Sequence, residues 1–426
     1  EERVMGKLVR LLDEARLHRA PIERLADRVA AYFVPTVIGL SLLTFAFWTW
    51  QAGFERGLLN GLAVLLIACP CALGIATPLA IWAALGRAAQ AGVLIRDSLT
   101  LEKLSRVGHI FFDKTGTLTT GQPTLAQIVP AAGHPPARLL QVAASLEHHS
   151  EHPLARAIEA EATAQKLSLL AVDAFQALPG RGVKGRVNGT DVYLGSWRLL
   201  ETYGLQLEPS LQMQQKQLEQ AGLSVIYLGW DGLVQALFGL SETIRAGAGE
   251  VLHDMQRQKL SLQLLTGDSA TAGNTLGRRL GVEVKSELLP HQKVSAIEQA
   301  EAAGPVAMVG DGLNDAPALA RASVGIALGC GADVTREAAD VSLLGSDLGQ
   351  ISWLLGLARR TYCTIGWNLA WAFAYNVVGV GLAMAGYLHP VLAAAAMVLS
   401  SALVVVNSLR IFKYGAQAAH PTEKAA

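Results

Sequence analysis

The 426 residues are 51% hydrophobic and only 16% charged, with a mean hydropathy of +0.33, which is too apolar for an ordinary soluble protein. The 35 Lys and Arg balance the 35 Asp and Glu to a net charge of zero, so no nucleic acid or other polyanion is implied as a partner. Four cysteines, Cys69, Cys71, Cys330 and Cys363, give no disulfide framework and point to a reducing cytosolic face.

Residues 1–28 place Val4, Leu8, Leu11 and Leu12 at helical spacing among charges, which predicts a cytosolic amphipathic helix broken near Pro21. Residues 29–87 predict two transmembrane helices. Val29 to Phe54 carries no charge, Glu55-Arg56 marks a turn, and Leu58 to Gly86 is again uncharged and contains Cys69-Pro70-Cys71. Charge then returns, and strand and helix patterns alternate up to residue 360. Asn188-Gly189 and Asp231-Gly232 sit between apolar runs and predict two hairpins. Around Asp113, Asp268 and Asp311 the pattern is instead strand–loop–helix, as in a doubly wound parallel sheet. The expectation is an α/β phosphorylation domain (88–123 and 240–360) interrupted by a smaller α+β domain (124–239). Residues 361–410 carry no Asp, Glu, Lys or Arg before Arg410 and predict two further spans around His389-Pro390, with a tail over 411–426. Arg and Lys gather at 1–28, 87–106, 359–360 and 410–413, which places both ends and the insert in the cytosol. The chain begins Glu-Glu-Arg without Met or a signal peptide and is expected to be a piece of a longer protein.

The chemistry centres on Ile110-Phe111-Phe112-Asp113-Lys114-Thr115-Gly116-Thr117-Leu118-Thr119. An apolar strand here delivers a carboxylate to a loop of hydroxyls and backbone N–H groups, which suits nucleophilic attack on a phosphoryl group. Thr266-Gly267-Asp268, Lys293, and Gly310-Asp311-Gly312-Leu313-Asn314-Asp315 can reach the same sheet edge. Phosphoryl transfer needs a nucleophile, Mg2+ held by hard oxygens and cations on the equatorial oxygens. Asp113 and Asp311 offer the carboxylates, Lys293 and Lys114 the charge, and Thr266 a donor.

This set resembles the P-type ATPases. The resemblance implies that Asp113 becomes an aspartyl phosphate and that Asp311 and the Thr115 backbone bind Mg2+. It further implies that Thr266 and Lys293 contact the phosphoryl group, with Gly267 and Asp268 in the same loop, and that Asn314 and Asp315 complete the last motif. Soluble phosphatases of the superfamily place a second Asp two residues after the nucleophile. Thr115 stands there instead, which favours a lasting phosphoenzyme over rapid hydrolysis. Ser150-Glu151-His152-Pro153-Leu154 resembles the nucleotide-domain motif of heavy-metal pumps, and Glu147, His152, Gly180, Gly182 and Val183 match that family's ATP contacts. Ser196 stands where the family has Asn, and Glu242 with Arg245 where it has Asp and Arg.

Within the membrane, Cys69 and Cys71 would point about 200° apart on an intact helix. Pro70 removes a backbone bond, and unwinding there lets both sulfurs face one cavity, for which a soft metal ion is the simplest occupant. The Cys-Pro-Cys run with Ala76-Thr77-Pro78 resembles the ion-binding helix of class IB heavy-metal P-type ATPases. Tyr375-Asn376, and Met397 with Ser401 one turn on, resemble its copper subgroup. The resemblance implies ATP and Mg2+ as cofactors, Cu+ or Ag+ as cargo, the lipid bilayer and a copper chaperone as partners, and a bacterial inner membrane as location. No Thr-Gly-Glu occurs in the chain, so the actuator domain of such pumps is missing from it. A Zn2+ or Cd2+ pump, a membrane-tethered phosphatase and a non-catalytic metal sensor remain as alternatives.

Overall fold

The computed structural model describes residues 21–69, 71–150, 152–178, 180–311, 315–329 and 339–415, without the side chains of 21–30, 71–73 and 153. The expected helix before residue 21, Pro70, the 312–314 part of the last motif with Asn314, and the tail beyond 415 lie outside these residues. So does the side chain of Cys71. The chain divides into two units, 1–107 with 340–426, and 108–339.

Among the described residues of the first unit, three helices are long and apolar enough to cross a membrane: Ala31–Ala52, Gly349–Met384 and Pro390–Lys413. Large apolar side chains such as Leu43, Trp50, Trp367 and Leu399 stand exposed on them, as lipid-facing surfaces require. The uncharged stretch over Leu58–Gly86, where unwinding at Pro70 is expected, is two helices, Phe54–Ile67 and Cys71–Gln90. The Ala68 N–H closes the first on the Val64 carbonyl, and Pro70, which has no N–H, cannot continue it. The helix Gly349–Met384 ends before a short connection, and the ring Nδ1 of His389 accepts from the Val391 N–H to start the next at Pro390. Val93–Ile95 pairs antiparallel with Val341–Leu343 in the same unit.

The second unit holds two sheets. Five strands run parallel in the order Val324–Ala327, Val306–Gly310, His109–Asp113, Ser261–Leu265, Glu283–Lys285. The central strand carries Ile110, Phe111 and Phe112 in succession because both of its faces are covered. Phe111, Leu265 and Met308 pack there against Ile297 and Leu319 from two of the flanking helices. The second sheet has six antiparallel strands, in the order Thr119–Pro130, Leu233–Ile244, Ser224–Trp230, Thr190–Gly195, Gly182–Val187, Val172–Leu178. Helices Pro136–Glu147 and Pro153–Ala164 cover one face, and Trp197–Thr202 with Pro209–Gln220 the other. Both hairpins form as the sequence predicts. Asn188, Gly189, Asp231 and Gly232 all take positive φ, between 49° and 85°, the tight turn whose twist matches the strands. The first two strands of this sheet, 12 residues each, carry the chain out of the parallel sheet and back.

Candidate active site

Three parallel strands end side by side. Asp113 pairs with Leu265, so Thr266 follows directly beside it, and Phe112 pairs with Val309, so Gly310 and Asp311 emerge on the other flank. Asp113 is 6% exposed and Asp315 only 2%. Lys293 reaches between them, its Nζ 2.6 Å from Asp113 Oδ1 and 2.8 Å from Asp315 Oδ1. It sits in the first turn of helix Pro290–Glu301, which begins where the Leu289 N–H donates to the Gln292 side chain at 2.8 Å. Burial pushes the Asp113 pKa up to about 7. The Asp315 and Asp311 carboxylates push the same way, and Lys293 pulls it back. Burial disfavours the Lys293 ammonium, but Asp113 and Asp315 outweigh burial and hold its pKa above the ordinary value.

The loop after Asp113 is shaped by glycine. Gly116 has φ +72°, and a Cβ there would meet Asp311 Oδ2 at 2.5 Å, so only hydrogen lets the Asp311 carboxylate lie against the loop. Arg245 braces the loop from outside, donating to the Thr117 and Gly116 carbonyls at 2.8 and 2.6 Å. Thr266 is buried, and its hydroxyl accepts from the Asp268 N–H at 3.1 Å. A hydroxyl in that role keeps its own proton for another partner. Asp315 Oδ2 is buried without a partner. The carboxylates at this edge are the hard-oxygen donors that suit Mg2+, which takes its remaining ligands from water, main-chain carbonyls and phosphate.

Lys114 is placed differently from the other candidates. Its ammonium is directed to Asp268 Oδ2 at 2.6 Å, Glu242 Oε1 at 2.7 Å and Ser224 Oγ at 3.0 Å. Sequence reasoning did not single out Ser224. Its nearest signal was its place as the first residue of a hairpin strand.

The second sheet gathers the nucleotide candidates. Glu147 ends its helix 6% exposed, with Oε2 unpartnered. Burial pushes its pKa up to about 7, the Ser150 hydrogen bond opposing and Glu159 adding. His152 starts the next helix, its Nδ1 accepting from the Leu154 N–H at 3.2 Å. Neutral imidazole with Nδ1 as acceptor carries its proton on Nε2, leaving a donor for a ligand. Gly180 has φ +71° and lies on the side chains of Leu289 and Pro290, beside the helix that bears Lys293. Gly182 has φ +140°, and a Cβ there would overlap the Leu194 carbonyl oxygen and meet Gly195 Cα at 2.6 Å. The Val183 side chain instead packs into the core of the sheet. The Ser196 hydroxyl beside this turn is buried and unpartnered.

In the first unit, contacts set the depth of the polar groups. Gly379 meets Ile67, Ala372 packs with Ala76, and the Trp353 ring lies under the Arg87 guanidinium. Helix Gly349–Met384 therefore runs antiparallel to the broken pair, and Asn376 falls at the level of the Cys69–Cys71 interruption. Ser400 sits one turn from Val404, which packs on the same Ala76 and Ala372. Asn376 Oδ1, Tyr375 Oη and Ser400 Oγ are buried without partners, as are Asn60 Nδ2 and Thr77 Oγ1 on the broken pair. Met397 and Ser401 are half-buried on the last helix. Ser400, Asn60 and Thr77 escaped sequence reasoning because polar residues on an apolar helix carry no sign of which way they face.

The haloacid dehalogenase-like hydrolase family profile matches residues 107–323. A copper-exporting P-type ATPase of Legionella pneumophila is 41% identical over 421 residues, 96% of this chain and 57% of that protein. A copper-exporting P-type ATPase of Staphylococcus epidermidis is 37% identical over 414 residues, covering 96% and 52%. The crystal structure of a zinc-transporting PIB-type ATPase in the E2.Pi state aligns with TM-score 0.69 and 35% identity, covering 95% of this chain and 67% of that one. The chain spans about half the length of these curated relatives.

Proposed function

The chain belongs to the class IB P-type ATPases, within the haloacid dehalogenase-like hydrolases, and from that premise we propose that it couples ATP to export of Cu(I) through an aspartyl phosphate at Asp113. The observation that carries the phosphoryl half is the buried Lys293 bridge between Asp113 and Asp315, beside Thr266 and Asp311, at one sheet edge. Asp113 Oδ attacks the γ-phosphorus and the β–γ oxygen leaves with ADP. Asp113, Asp311 and the Thr115 carbonyl would hold Mg2+, which would neutralise the charge that develops. ATP docks at Glu147, His152, Gly180 and Gly182, with the Gly180 turn close to the Lys293 helix.

The cargo reading rests on unpartnered oxygens of Asn376, Tyr375 and Ser400 near the level of Cys69 and Cys71, with Met397 and Ser401 on the neighbouring helix. Thiolate and thioether donors favour a soft monovalent ion, Cu(I) or Ag(I). The zinc-transporting neighbour supports a second reading, Zn2+. Against it stands the lack of any Asp, Glu or Lys from Thr361 to Leu409, since an added carboxylate or Lys is expected beside the thiolates of a Zn2+ pump. Delivery of Cu(I) by a copper chaperone and residence in a bacterial inner membrane belong to the same proposal.

The test is acid-stable, hydroxylamine-sensitive labelling from γ-labelled ATP, using the complete gene product in lipid under reducing conditions. Each of Cu(I), Ag(I) and Zn2+ is supplied in turn. Label with Cu(I) and Ag(I) is expected. Label with Zn2+ alone transfers the proposal to the zinc reading, and no label with any metal defeats it.

A further inference from the structure

The Lys114 ammonium joins four separated pieces of chain. Lys114 follows the nucleophile. Asp268 lies in the loop after the adjacent parallel strand. Glu242 is on the strand that returns from the second sheet, and Ser224 is the first residue of a strand wholly within that sheet. The polar atoms close a ring: Lys114 Nζ donates to Ser224 Oγ at 3.0 Å, Ser224 Oγ donates to Asp268 Oδ2 at 3.1 Å, and Lys114 Nζ returns to Asp268 Oδ2 at 2.6 Å. The other arm runs to Glu242 Oε1 at 2.7 Å, and Glu242 Oε2 lies 2.8 Å from the Thr119 hydroxyl. The Lys114 and Glu242 side chains are only 7% and 8% exposed.

This ring sits where the second sheet is rooted. The two long strands are irregularly paired between Thr119 and Pro123, and Gly121 there has φ +69°, where a Cβ would meet Gly116 Cα at 3.0 Å. An irregularity of this kind bends a strand pair. Ser224 brings a hydroxyl from a strand wholly within the second sheet, and it connects to Lys114 and Asp268 of the parallel-sheet region.

We propose that Ser224, Lys114, Asp268 and Glu242 form a latch that fixes the tilt of the nucleotide-binding sheet over Asp113, with Ser224 as a positioning residue for phosphoryl transfer. This rests on the reading of Asp113 as the phosphate acceptor. Lys114 thereby acts through the placement of the nucleotide rather than by touching it. A near-attack distance of 3–3.5 Å between carboxylate and γ-phosphorus is sensitive to small tilts. Nucleotide affinity, set at Glu147, His152 and Gly182, is independent of the latch.

Ser224 gives the clean test, because it is neutral. Removing Lys114 or Glu242 would strand buried charge and unfold the region. The experiment measures nucleotide affinity and the single-turnover rate of aspartyl-phosphate formation in the reconstituted protein, for wild type, Ser224→Ala and Ser224→Thr. The expected result is unchanged ATP affinity, phosphorylation slowed about 10-fold in Ser224→Ala, the order of one lost hydrogen bond to a charged group, and recovery in Ser224→Thr. Equal rates in wild type and Ser224→Ala overturn the latch. So does an affinity loss that accounts for the rate loss, or a Thr variant as slow as Ala. Failure of the wild type itself to label would instead strike the functional reading.

Discussion

Glu147 allows a stability change to be worked from the structure. Its pKa is pushed from 4.5 to about 7 by burial, and the residue is 6% exposed, so solvent screening discounts little. A raised carboxyl pKa means the folded protein holds the proton more tightly than the unfolded chain. That contribution is complete below pH about 4.5 and is lost as pH rises through about 7. A displacement of about 2.5 units corresponds to about 3 kcal/mol over the whole window. Glu147→Gln keeps the shape of the neutral acid and removes the titration. Wild type should therefore lose about 2 kcal/mol relative to Glu147→Gln between pH 5 and pH 8, the part of the window accessible to measurement. Urea titrations at each pH, followed by fluorescence of Trp197 and Trp230 in the same sheet domain, give the difference from the midpoints. Parallel pH profiles for the two proteins, within about 0.5 kcal/mol, would refute the picture of a neutral buried acid.

Four other outcomes follow from the geometry. Asp113→Asn should abolish the hydroxylamine-sensitive label while leaving ATP affinity within about twofold, read by equilibrium binding beside the labelling assay. With Asp113 titrating near 7, kcat/KM for phosphorylation should climb from pH 6 to pH 8. Lys293→Met should move that rise to higher pH, because Lys293 lowers the Asp113 pKa, and should cost at least about 100-fold in rate. Gly182→Ala places a methyl on the Leu194 carbonyl and Gly195; a loss of about 2 kcal/mol in stability with weaker ATP binding is expected by thermal melting and calorimetry. Cys69→Ala should remove Cu(I) dependence of labelling while phosphorylation by inorganic phosphate, whose proposed acceptor is Asp113, persists.

The strand ending in Asp113 was readable because Ile110, Phe111 and Phe112 form a short apolar run bounded by a turn, and such a run has few other homes than the middle of a parallel sheet. The hairpins at Asn188-Gly189 and Asp231-Gly232 were readable for a similarly local reason: two successive positive φ values select those residues. The orientation of Lys114 was not readable. Two of its partners lie 110 and 154 residues away, and adjacency in the sequence to Asp113 suggested a shared duty that the fold divides. The interrupted span shows a third case: hydropathy alone runs Leu58 to Gly86 together, but Pro70 between two cysteines made an unwinding there readable, because proline has no N–H to continue a helix.

The pair of long strands that carries the chain between the two sheets has a mechanical consequence. Twelve residues of extended chain reach about 40 Å, and two such rails, hydrogen-bonded side by side, resist stretching and shear far better than flexible linkers do. Displacement is then confined to bending at the irregular pairing near Gly121. A pivot of about 10° there swings the far end of a 40 Å lever by about 7 Å. On the reading proposed above, the angle at this pivot, which the Ser224 latch holds, would set where a nucleotide on the sheet stands relative to the acceptor.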